Sequence, residues 1–215
     1  PFAVNQICHP SNNRLEHDME VICKHKVPLV ITSLGAREDV NAAVHSYGGL
    51  VLHDVISNKF AKKAVSKGAD GLVAVAAGAG GHAGTLSPFA LISEIREWFE
   101  GPLALSGSIS SGRSVLAARA AGADFGYCGS AFIACKEANA SDAYKQSIVE
   151  SAADDIVYSS LFTGVHGNYL RPSIIAAGLD PDNLPDADAK SMDFGSGGNT
   201  EKKAWADIWG CGQGI

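Results

Sequence analysis

The sequence has little positive charge and no long apolar run. Seventeen Lys and Arg residues stand against 23 Asp and Glu residues, for a formal net charge of −6. Nucleic-acid binding needs a basic surface, so we expect no nucleic-acid partner. No stretch of about 18 residues is free of charges and turn residues, so we expect no transmembrane helix and no membrane partner.

The five cysteines give no sign of a disulfide framework. Their number is odd, no Cys-x-x-Cys pair occurs, and no secretory signal is visible. Reduced thiols and a cytoplasmic location are therefore expected. The histidines lack metal-ligand spacing and no His-Glu-x-x-His motif occurs, so no metal site is predicted. The absence of a Gly-x-Ser-x-Gly motif argues against a hydrolase with a serine elbow.

Glycine is the residue in excess. It occupies 24 of the 215 positions, against a usual share of about 7%. The glycines lie between apolar runs and follow no three-residue period, which excludes a collagen-like chain and a low-complexity linker. Hydrophobic residues make up 46% of the chain, the share of an ordinary globular protein. Glycine-rich loops in such a protein indicate that the backbone closely approaches something.

Six short apolar runs predict strands that are covered on both faces, as in a parallel sheet. They are Phe2–Ile7, Leu29–Ser33, Leu50–Ile56, Gly71–Ala76, Leu103–Ser108 and Phe125–Gly129. The segments between them predict helices at Asn13–Lys26, Glu38–Ser46, Lys59–Lys67, Pro88–Glu100 and Ser111–Ala121. This alternation is typical of βαβ units in an α/β protein.

Two architectures accept six such strands: a doubly wound sheet and part of a (β/α)₈ barrel, which requires eight. Glycine clusters follow several successive strands rather than one switch point, which favours the barrel. The chain also begins directly on a strand, without a Met. We therefore expect a (β/α)₈ TIM barrel that lacks its first two βα units in this sequence.

The pattern changes after the last predicted strand. We divide the chain into barrel units at 1–140 and a C-terminal helical segment at 141–215. Within the second part, Ser141–Ser160 predicts one long helix and Glu201–Trp209 a further helix. The polar stretch Asp180–Thr200 between them is long for a compact domain, which indicates a functional, lid-like loop or a mobile one.

The densest motif is Gly78-Ala79-Gly80-Gly81-His82-Ala83-Gly84, directly after the fourth predicted strand. It lacks the third glycine of a dinucleotide fingerprint and the Gly-Lys-Ser/Thr of a P-loop. A histidine among such small residues can exchange a proton near neutral pH or donate a hydrogen bond to an anion. The alternative is a tight turn with an incidental surface histidine. His82 is therefore the candidate catalytic residue.

Two serine- and glycine-rich segments follow the last two predicted strands. Ser106-Gly107-Ser108-Ile109-Ser110-Ser111-Gly112 opens a helix, and Cys128-Gly129-Ser130 follows the next strand. In barrels, the loops after strands 7 and 8 commonly bind phosphate through backbone N–H groups and a helix N-terminus. The two segments predict such a site, and the alternative is a pair of ordinary turns with serine N-caps.

Three single positions have two interpretations each. Asn5 either bonds a flat polar heterocycle or caps the following turn. His53 and Asp54 lie on the third predicted strand, where a purely structural pair agrees equally well with the sequence. Cys128 is interpreted as a small packed residue rather than a nucleophile.

These motifs together resemble the nitronate monooxygenase family (2-nitropropane dioxygenases), which comprises FMN-dependent (β/α)₈ barrels. The similar segments are Pro1–Asn5, Gly80–Gly84, Ser106–Ser108, Gly129–Phe132 and Trp209–Gly214. The resemblance implies that His82 is the catalytic histidine beside the flavin. It implies flavin or phosphate contacts at Asn5, Gly80, Gly81, Gly107, Ser108, Tyr127, Cys128, Gly129, Ser130 and Gln213.

The chain departs from the family pattern at two of its positions. Ser108 stands where the family usually has a glycine, and this residue keeps the backbone N–H and adds a hydroxyl. Asp54 stands where some relatives carry a basic residue, which weakens any inference about nicotinamide use.

The resemblance implies an FMN-dependent oxidoreductase that oxidises alkyl nitronates with O₂ to carbonyl compounds and nitrite. Its partners would be a small-molecule substrate and O₂, and a homo-oligomer is compatible with the sequence. Two alternatives stay open. One is an NAD(P)H-dependent FMN reductase of the same fold, acting on a quinone or an enoyl-thioester. The other is a cofactor-free barrel or binding module in which the glycine loops are only turns.

Overall fold

The computed structural model of the protein describes residues 2–187 and 207–214. Its strands are β1 (Ala3–Ile7), β2 (Leu29–Ser33), β3 (Leu50–Val55), β4 (Gly71–Val75), β5 (Gly81–His82), β6 (Leu103–Ser106), β7 (Phe125–Tyr127), β8 (Ile156–Ser159) and β9 (Gly167–Leu170). Its helices are α1 (Leu15–Lys24), α2 (Glu38–His45), α3 (Asn58–Ser66), α4 (Pro88–Arg96), α5 (Gly112–Ala120), α6 (Ser130–Ile133), α7 (Asp142–Glu150) and α8 (Arg171–Ala176).

Six parallel strands form the main sheet, in the order β1-β2-β3-β4-β6-β7. The register places Thr32 opposite His53, and Val73 opposite Ala104. These are the six strands predicted from the apolar runs, and their observed ends lie within two residues of the predicted ones. The prediction of a parallel α/β sheet is confirmed.

The first five helices pack on one face of this sheet. On that face, Leu72 and Leu103 of the sheet form one buried cluster with Leu91, Ile92 and Ile95 of α4. A doubly wound sheet would carry helices on both faces, whereas here the opposite face has its own small apolar cluster. The six units therefore correspond to consecutive units of a (β/α)₈ barrel, with helices outside and the second face directed inward.

The inner face is only partly covered within the described residues. Ile31, Val73, Val75 and Ala104 are buried there. Phe125, which lies beside Ala104 in the register, is 59% exposed. The edge strands β1 and β7 do not pair with each other in this part of the chain. The sheet is thus a partial barrel.

At the sheet edge where the strands begin, two aspartates accept hydrogen bonds from backbone N–H groups. Asp70 accepts a hydrogen bond from the backbone N–H of Val51 at 2.8 Å. Asp124 accepts one from the N–H of Leu103 at 2.8 Å and another from Arg96 at 2.7 Å. Each carboxylate thus satisfies a backbone donor at the start of the neighbouring strand, which ties that unit into the sheet.

The prediction of one long helix over Ser141–Ser160 is wrong. Helix α7 ends at Glu150, and Ser151 has extended backbone angles. Asp155 then accepts a hydrogen bond from the N–H of Ala152 at 2.8 Å, which closes a short 3₁₀ turn. The apolar residues that follow, including a valine and a tyrosine, suit a strand better than a helix. They form β8, which pairs antiparallel with β9.

Two further predictions fall largely on residues that lie outside the described ones. These are positions 188–200 of the predicted lid-like loop and positions 201–206 of the predicted terminal helix. The rest of that helix prediction, Asp207–Trp209, is wrong, because these residues form no helix. Instead Leu170 donates a backbone hydrogen bond to the carbonyl of Trp209 at 2.8 Å. This segment therefore adds to the hairpin.

Candidate functional site

A cavity of about 260 Å³ lies where the main strands β4, β6 and β7 end. It also borders α7 and the C-terminal residues 210–213. Eight of the residues predicted to hold a flavin line it: Gly80, Gly81, Gly107, Ser108, Tyr127, Gly129, Ser130 and Gln213. Loops that are far apart in sequence are thus brought together at one place, at the edge where barrels place their functional sites.

The carbonyl of Gly78 connects three of these segments. It accepts a backbone hydrogen bond from Gln213 at 2.9 Å and a longer one from Ser108 at 3.4 Å. Gly78 belongs to the loop after β4, Ser108 to the loop after β6, and Gln213 to the C-terminal segment. One peptide group therefore sets the relative position of the histidine-bearing loop and one predicted phosphate loop.

Two glycines in this region are required by close backbone approaches. A Cβ on Gly80 would lie 2.6 Å from the backbone nitrogen of Gly212. A Cβ on Gly107, whose φ is +131°, would lie 2.7 Å from the carbonyl oxygen of Ala77. Neither contact leaves room for a side chain, so part of the glycine excess is explained by packing between the loops themselves.

The C-terminal segment is held against the loop after β7 and against α7. The N–H of Gly212 donates a hydrogen bond to the hydroxyl of Ser130 at 2.9 Å. Tyr144 donates its phenolic proton to the carbonyl of Gly210. Its ring stacks on Trp209 with centroids 5.0 Å apart. Tyr144 lines the cavity as well, and its position was not predicted from the sequence.

The β8–β9 hairpin supports the histidine-bearing loop. Strand β5 pairs antiparallel with β9, with Gly81 opposite Asn168 and His82 opposite Gly167. The buried amide of Asn168 donates to the carbonyl of Ala79 at 2.7 Å. Sequence reasoning missed this hairpin because its strands are short. The available signal was the β-branched and aromatic run at 156–158 and the helix-starting proline after β9.

His82 lies on β5 and is partly buried. Its Nε2 is 2.8 Å from the hydroxyl of Thr163, in the turn between β8 and β9. Burial lowers the pKa of His82 to about 4, so the ring is neutral at pH 7. A neutral imidazole can accept a proton at one nitrogen and donate one from the other. His82 neighbours the cavity residue Gly81 without lining the cavity itself.

Asn5 and Cys128 do not line the cavity. Asn5 is exposed on the inner face and donates to the hydroxyl of Ser33 at 3.0 Å. Ser33 in turn donates to the carboxylate of Asp54 at 2.6 Å. Burial raises the pKa of Asp54 to about 6, with the Ser33 hydrogen bond opposing that rise. These hydrogen-bonded side chains run across β1, β2 and β3 on the inner face of the sheet.

The residues present suit the phosphate end of FMN. The lining contains no carboxylate and no cation in the described part of the chain, so a bound phosphate meets neither repulsion nor an ion pair. Its ligands would be hydroxyls and backbone N–H groups. A Cβ on Gly129 would touch nothing within 4 Å, so the space beside this loop is open. The volume lies below the roughly 300–1,000 Å³ of whole-ligand sites.

Residues 2–187 and 207–214 contain neither a metal-binding cluster nor a membrane-spanning helix. No group of three or more His, Cys, Asp or Glu side chains there is placed to hold a metal ion. No helix among these residues is both long enough and apolar enough to span a bilayer.

Comparisons with known proteins agree with this arrangement. Residues 4–178 match the family model described as nitronate monooxygenase. The nitronate monooxygenase of Paraburkholderia phytofirmans is 28% identical over 152 residues, which are 66% of this chain and 42% of that protein. A 5-hydroxy-7a-methyl-1-oxo-octahydro-1H-indene-4-carboxyl-CoA dehydrogenase of Rhodococcus jostii is 24% identical over 175 residues, 81% of this chain and 49% of that protein.

Solved structures are similar as well. FabK from Thermotoga maritima superposes with a TM-score of 0.76 and 28% identity, over 82% of this chain and 57% of that one. The nitroalkane oxidase of Streptomyces ansochromogenes gives a TM-score of 0.67 and 27% identity, over 72% of this chain and 48% of that one. The chain spans about half the length of the proteins it matches.

Proposed function

This chain belongs to the nitronate monooxygenase family, and we propose that it forms the cofactor-binding part of an FMN-dependent oxidoreductase that oxidises alkyl nitronates with O₂. The products would be a carbonyl compound and nitrite. The observation that carries the proposal is the meeting of the histidine-bearing loop, both predicted phosphate loops and Gln213 around one cavity, to which the described residues contribute no charged side chain.

The residues around the cavity would hold the phosphate end of the cofactor. Gly107, Ser108, Gly129 and Ser130 supply hydroxyls and backbone groups at the ends of two neighbouring strands. When bound, FMN supplies the electron transfer and the reaction with O₂, which amino-acid side chains cannot provide. The predicted contacts at Asn5 and Cys128 rest on the family resemblance, because neither residue lines the cavity.

His82 would act on the substrate. A nitronate is an anion, and an N–H of the imidazole can donate a hydrogen bond to it. For a neutral nitroalkane, the neutral ring would instead accept the proton from the carbon beside the nitro group. The ring is neutral at pH 7, because burial lowers its pKa to about 4. The second role therefore requires no prior deprotonation of the histidine.

A reductase or dehydrogenase of the same fold is the second candidate. The R. jostii protein, whose name describes a dehydrogenase acting on a CoA ester, aligns with 81% of this chain. In that case a reduced nicotinamide would serve as electron donor and an enoyl-thioester or a quinone as acceptor. The cavity would hold FMN in the same way, so the two candidates differ only in the molecules that meet the flavin.

Cofactor binding is tested first, by the visible spectrum of the purified protein after reconstitution with FMN. We expect flavin absorption bands to stay with the protein on gel filtration. Ser130→Ala, which removes one hydroxyl from the cavity, should weaken retention. Thr85→Ala is the control, because Thr85 is exposed and does not line the cavity. A protein that retains no flavin would contradict both enzyme proposals and favour the cofactor-free barrel.

The reaction is tested by oxygen consumption with a small alkyl nitronate, with and without reduced nicotinamide. We expect consumption with the nitronate alone. Anaerobic mixing with NADH or NADPH should leave the flavin oxidised. Rapid bleaching of the flavin by either nucleotide, without oxygen consumption from the nitronate, would instead support the reductase.

A further inference from the structure

We propose that Thr163 is a positioning residue, which orients the ring of His82 and holds its neutral form with the proton on Nε2. The inference rests on the proposed function, in which His82 acts on the substrate. It starts from the Nε2–hydroxyl contact of 2.8 Å between a strand of the histidine-bearing loop and the turn of the β8–β9 hairpin.

The position of the hydroxyl proton follows from a second contact. The Thr163 oxygen lies 3.0 Å from the carbonyl oxygen of Val165. A carbonyl can only accept, so in this contact the threonine hydroxyl must be the donor. A hydroxyl has one proton and two lone pairs. With its proton on the Val165 carbonyl, Thr163 meets other groups as an acceptor.

The remaining neighbours of Thr163 agree with that assignment. The backbone N–H of Val165 donates to the Thr163 oxygen at 3.3 Å. The acceptor side of the hydroxyl therefore faces His82, and Nε2 must carry the hydrogen. The neutral imidazole then has its basic lone pair on Nδ1, so this tautomer serves the proton-accepting role of His82 toward a neutral nitroalkane and leaves no second N–H to donate to a nitronate. The tautomer of the candidate catalytic histidine is set by a residue 81 positions away in sequence.

Thr163 is itself well held. Gly164, with a φ of +76°, completes the turn, and its N–H donates to the carbonyl of Ser160 at 2.9 Å. The buried side chain of Tyr169 on β9 also lies beside Thr163. Contacts within the hairpin thus restrict the rotation of the Thr163 side chain and fix its hydroxyl, as a positioning role requires.

The tautomer is measured directly by ¹⁵N NMR of the histidine rings in the FMN-reconstituted protein, with His82 assigned by its absence in His82→Asn. We expect wild-type His82 at pH 7 to be protonated at Nε2. This measurement needs no variant at Thr163, so it stands even if such a variant folds poorly. A ring protonated at Nδ1 would overturn the proposal.

Three variants separate positioning from simple packing. Thr163→Val removes the hydroxyl and should allow both tautomers, with kcat for a neutral nitroalkane lowered about tenfold to 100-fold and KM changed little. Thr163→Ser keeps the hydroxyl and should restore both the Nε2–H signal and most of kcat. Thr85→Val, at an exposed threonine of the same loop, should change neither. An unchanged His82 spectrum in Thr163→Val would overturn the proposal.

The result also separates this inference from the proposed function. A His82 spectrum that follows the substitutions while turnover stays constant would uphold the positioning contact and contradict the catalytic role of His82. A turnover that falls in Thr163→Val without any change in the His82 spectrum would contradict the positioning contact and leave the catalytic role of His82 standing.

Discussion

Two histidines of this chain have nearly the same chemical surroundings in different parts of the molecule. His53 Nδ1 lies 2.6 Å from the hydroxyl of Thr32, and His82 Nε2 lies 2.8 Å from that of Thr163. In both pairs the threonine also donates to a carbonyl, at 3.3 Å for Thr32 and 3.0 Å for Thr163. Burial lowers the pKa of both histidines to about 4.

The pairs differ in where the backbone places them. His53 is in the middle of β3, on the sheet face that the helices cover, and only 6% exposed. Its register neighbour Leu72 belongs to the main apolar cluster. His82 is at the end of a glycine-rich loop, next to the cavity. A histidine with a lowered pKa is therefore no sign of a site by itself, and access decides between structure and function.

The largest expected difference between the pairs is in turnover. His82→Asn should keep FMN and lower oxygen consumption with a neutral nitroalkane by about 100-fold or more, the range of a general acid–base group. His53→Asn should keep turnover near the wild-type value when assayed at a temperature where circular dichroism shows it folded. Near-normal activity in His82→Asn would refute the distinction between a functional His82 and a structural His53.

The next difference is in stability, where we expect the larger effect at the His53–Thr32 pair. Thr32→Val would leave the Nδ1–H of His53 buried without its acceptor, which costs about 1–3 kcal/mol. Thr163 is only half-buried, so water can replace its hydroxyl and Thr163→Val should cost less. Urea unfolding of both variants measures this. An equal loss of unfolding free energy in both variants would mean that the turn around Thr163 is packed as tightly as the sheet around Thr32.

The pH dependence of stability sharpens the comparison further. A neutral buried histidine binds its proton more weakly than in the unfolded chain, so its contribution is complete above pH 6.5 and lost as the pH falls toward 4. The slope is at most about 1.4 kcal/mol per pH unit for each histidine. His53→Gln should therefore flatten the fall in unfolding free energy between pH 6.5 and 4.

Asp54 provides a control of opposite sign. Burial raises its pKa from 3.8 to about 6, so its contribution is complete below pH 3.8 and lost as the pH rises to 6. It partly offsets the histidines in this window. Asp54→Asn should thus make the fall on acidification steeper. If both variants changed the slope in the same direction, these assignments of charge would be wrong.

The smallest effects are expected from Thr32→Ser and Thr163→Ser. Both keep the hydroxyl and lose one methyl group, whose burial contributes about 0.8 kcal/mol. The loss in unfolding free energy should approach that value at buried Thr32 and be smaller at Thr163. A large loss in either serine variant would show that the methyl group, rather than the hydroxyl, holds the histidine.

Much of the main sheet was predictable because its signals are local. Continuous apolar runs such as Gly71–Val75 are buried on both faces, and such runs have few other uses in a soluble chain. The meeting of the loops that follow these strands was also predictable, since parallel strands place their carboxyl ends at one edge of the sheet. Eight of the ten predicted cofactor residues accordingly line one cavity.

The hairpin was not predictable in the same way. Strands β8 and β9 have four residues each, and the helical prediction over Ser141–Ser160 extended across the first of them. Their stability comes from partners elsewhere, namely β5 and the segment at Trp209–Cys211. A sequence pattern within ten residues contains no information about such partners, so the contacts of Thr163 and Asn168 could not be predicted from it.

The amino-acid sequence by itself determined the order of the six βα units, the residues of the glycine-rich loops and the choice of His82 as the candidate catalytic residue. Each follows from local periodicity or from the chemistry of one side chain. Only the tertiary structure decided that all the helices of these units cover one face, that Gln213 meets Gly78, and that Thr163 faces His82. Those contacts join residues far apart in the chain, and only the folded packing brings them within hydrogen-bonding distance.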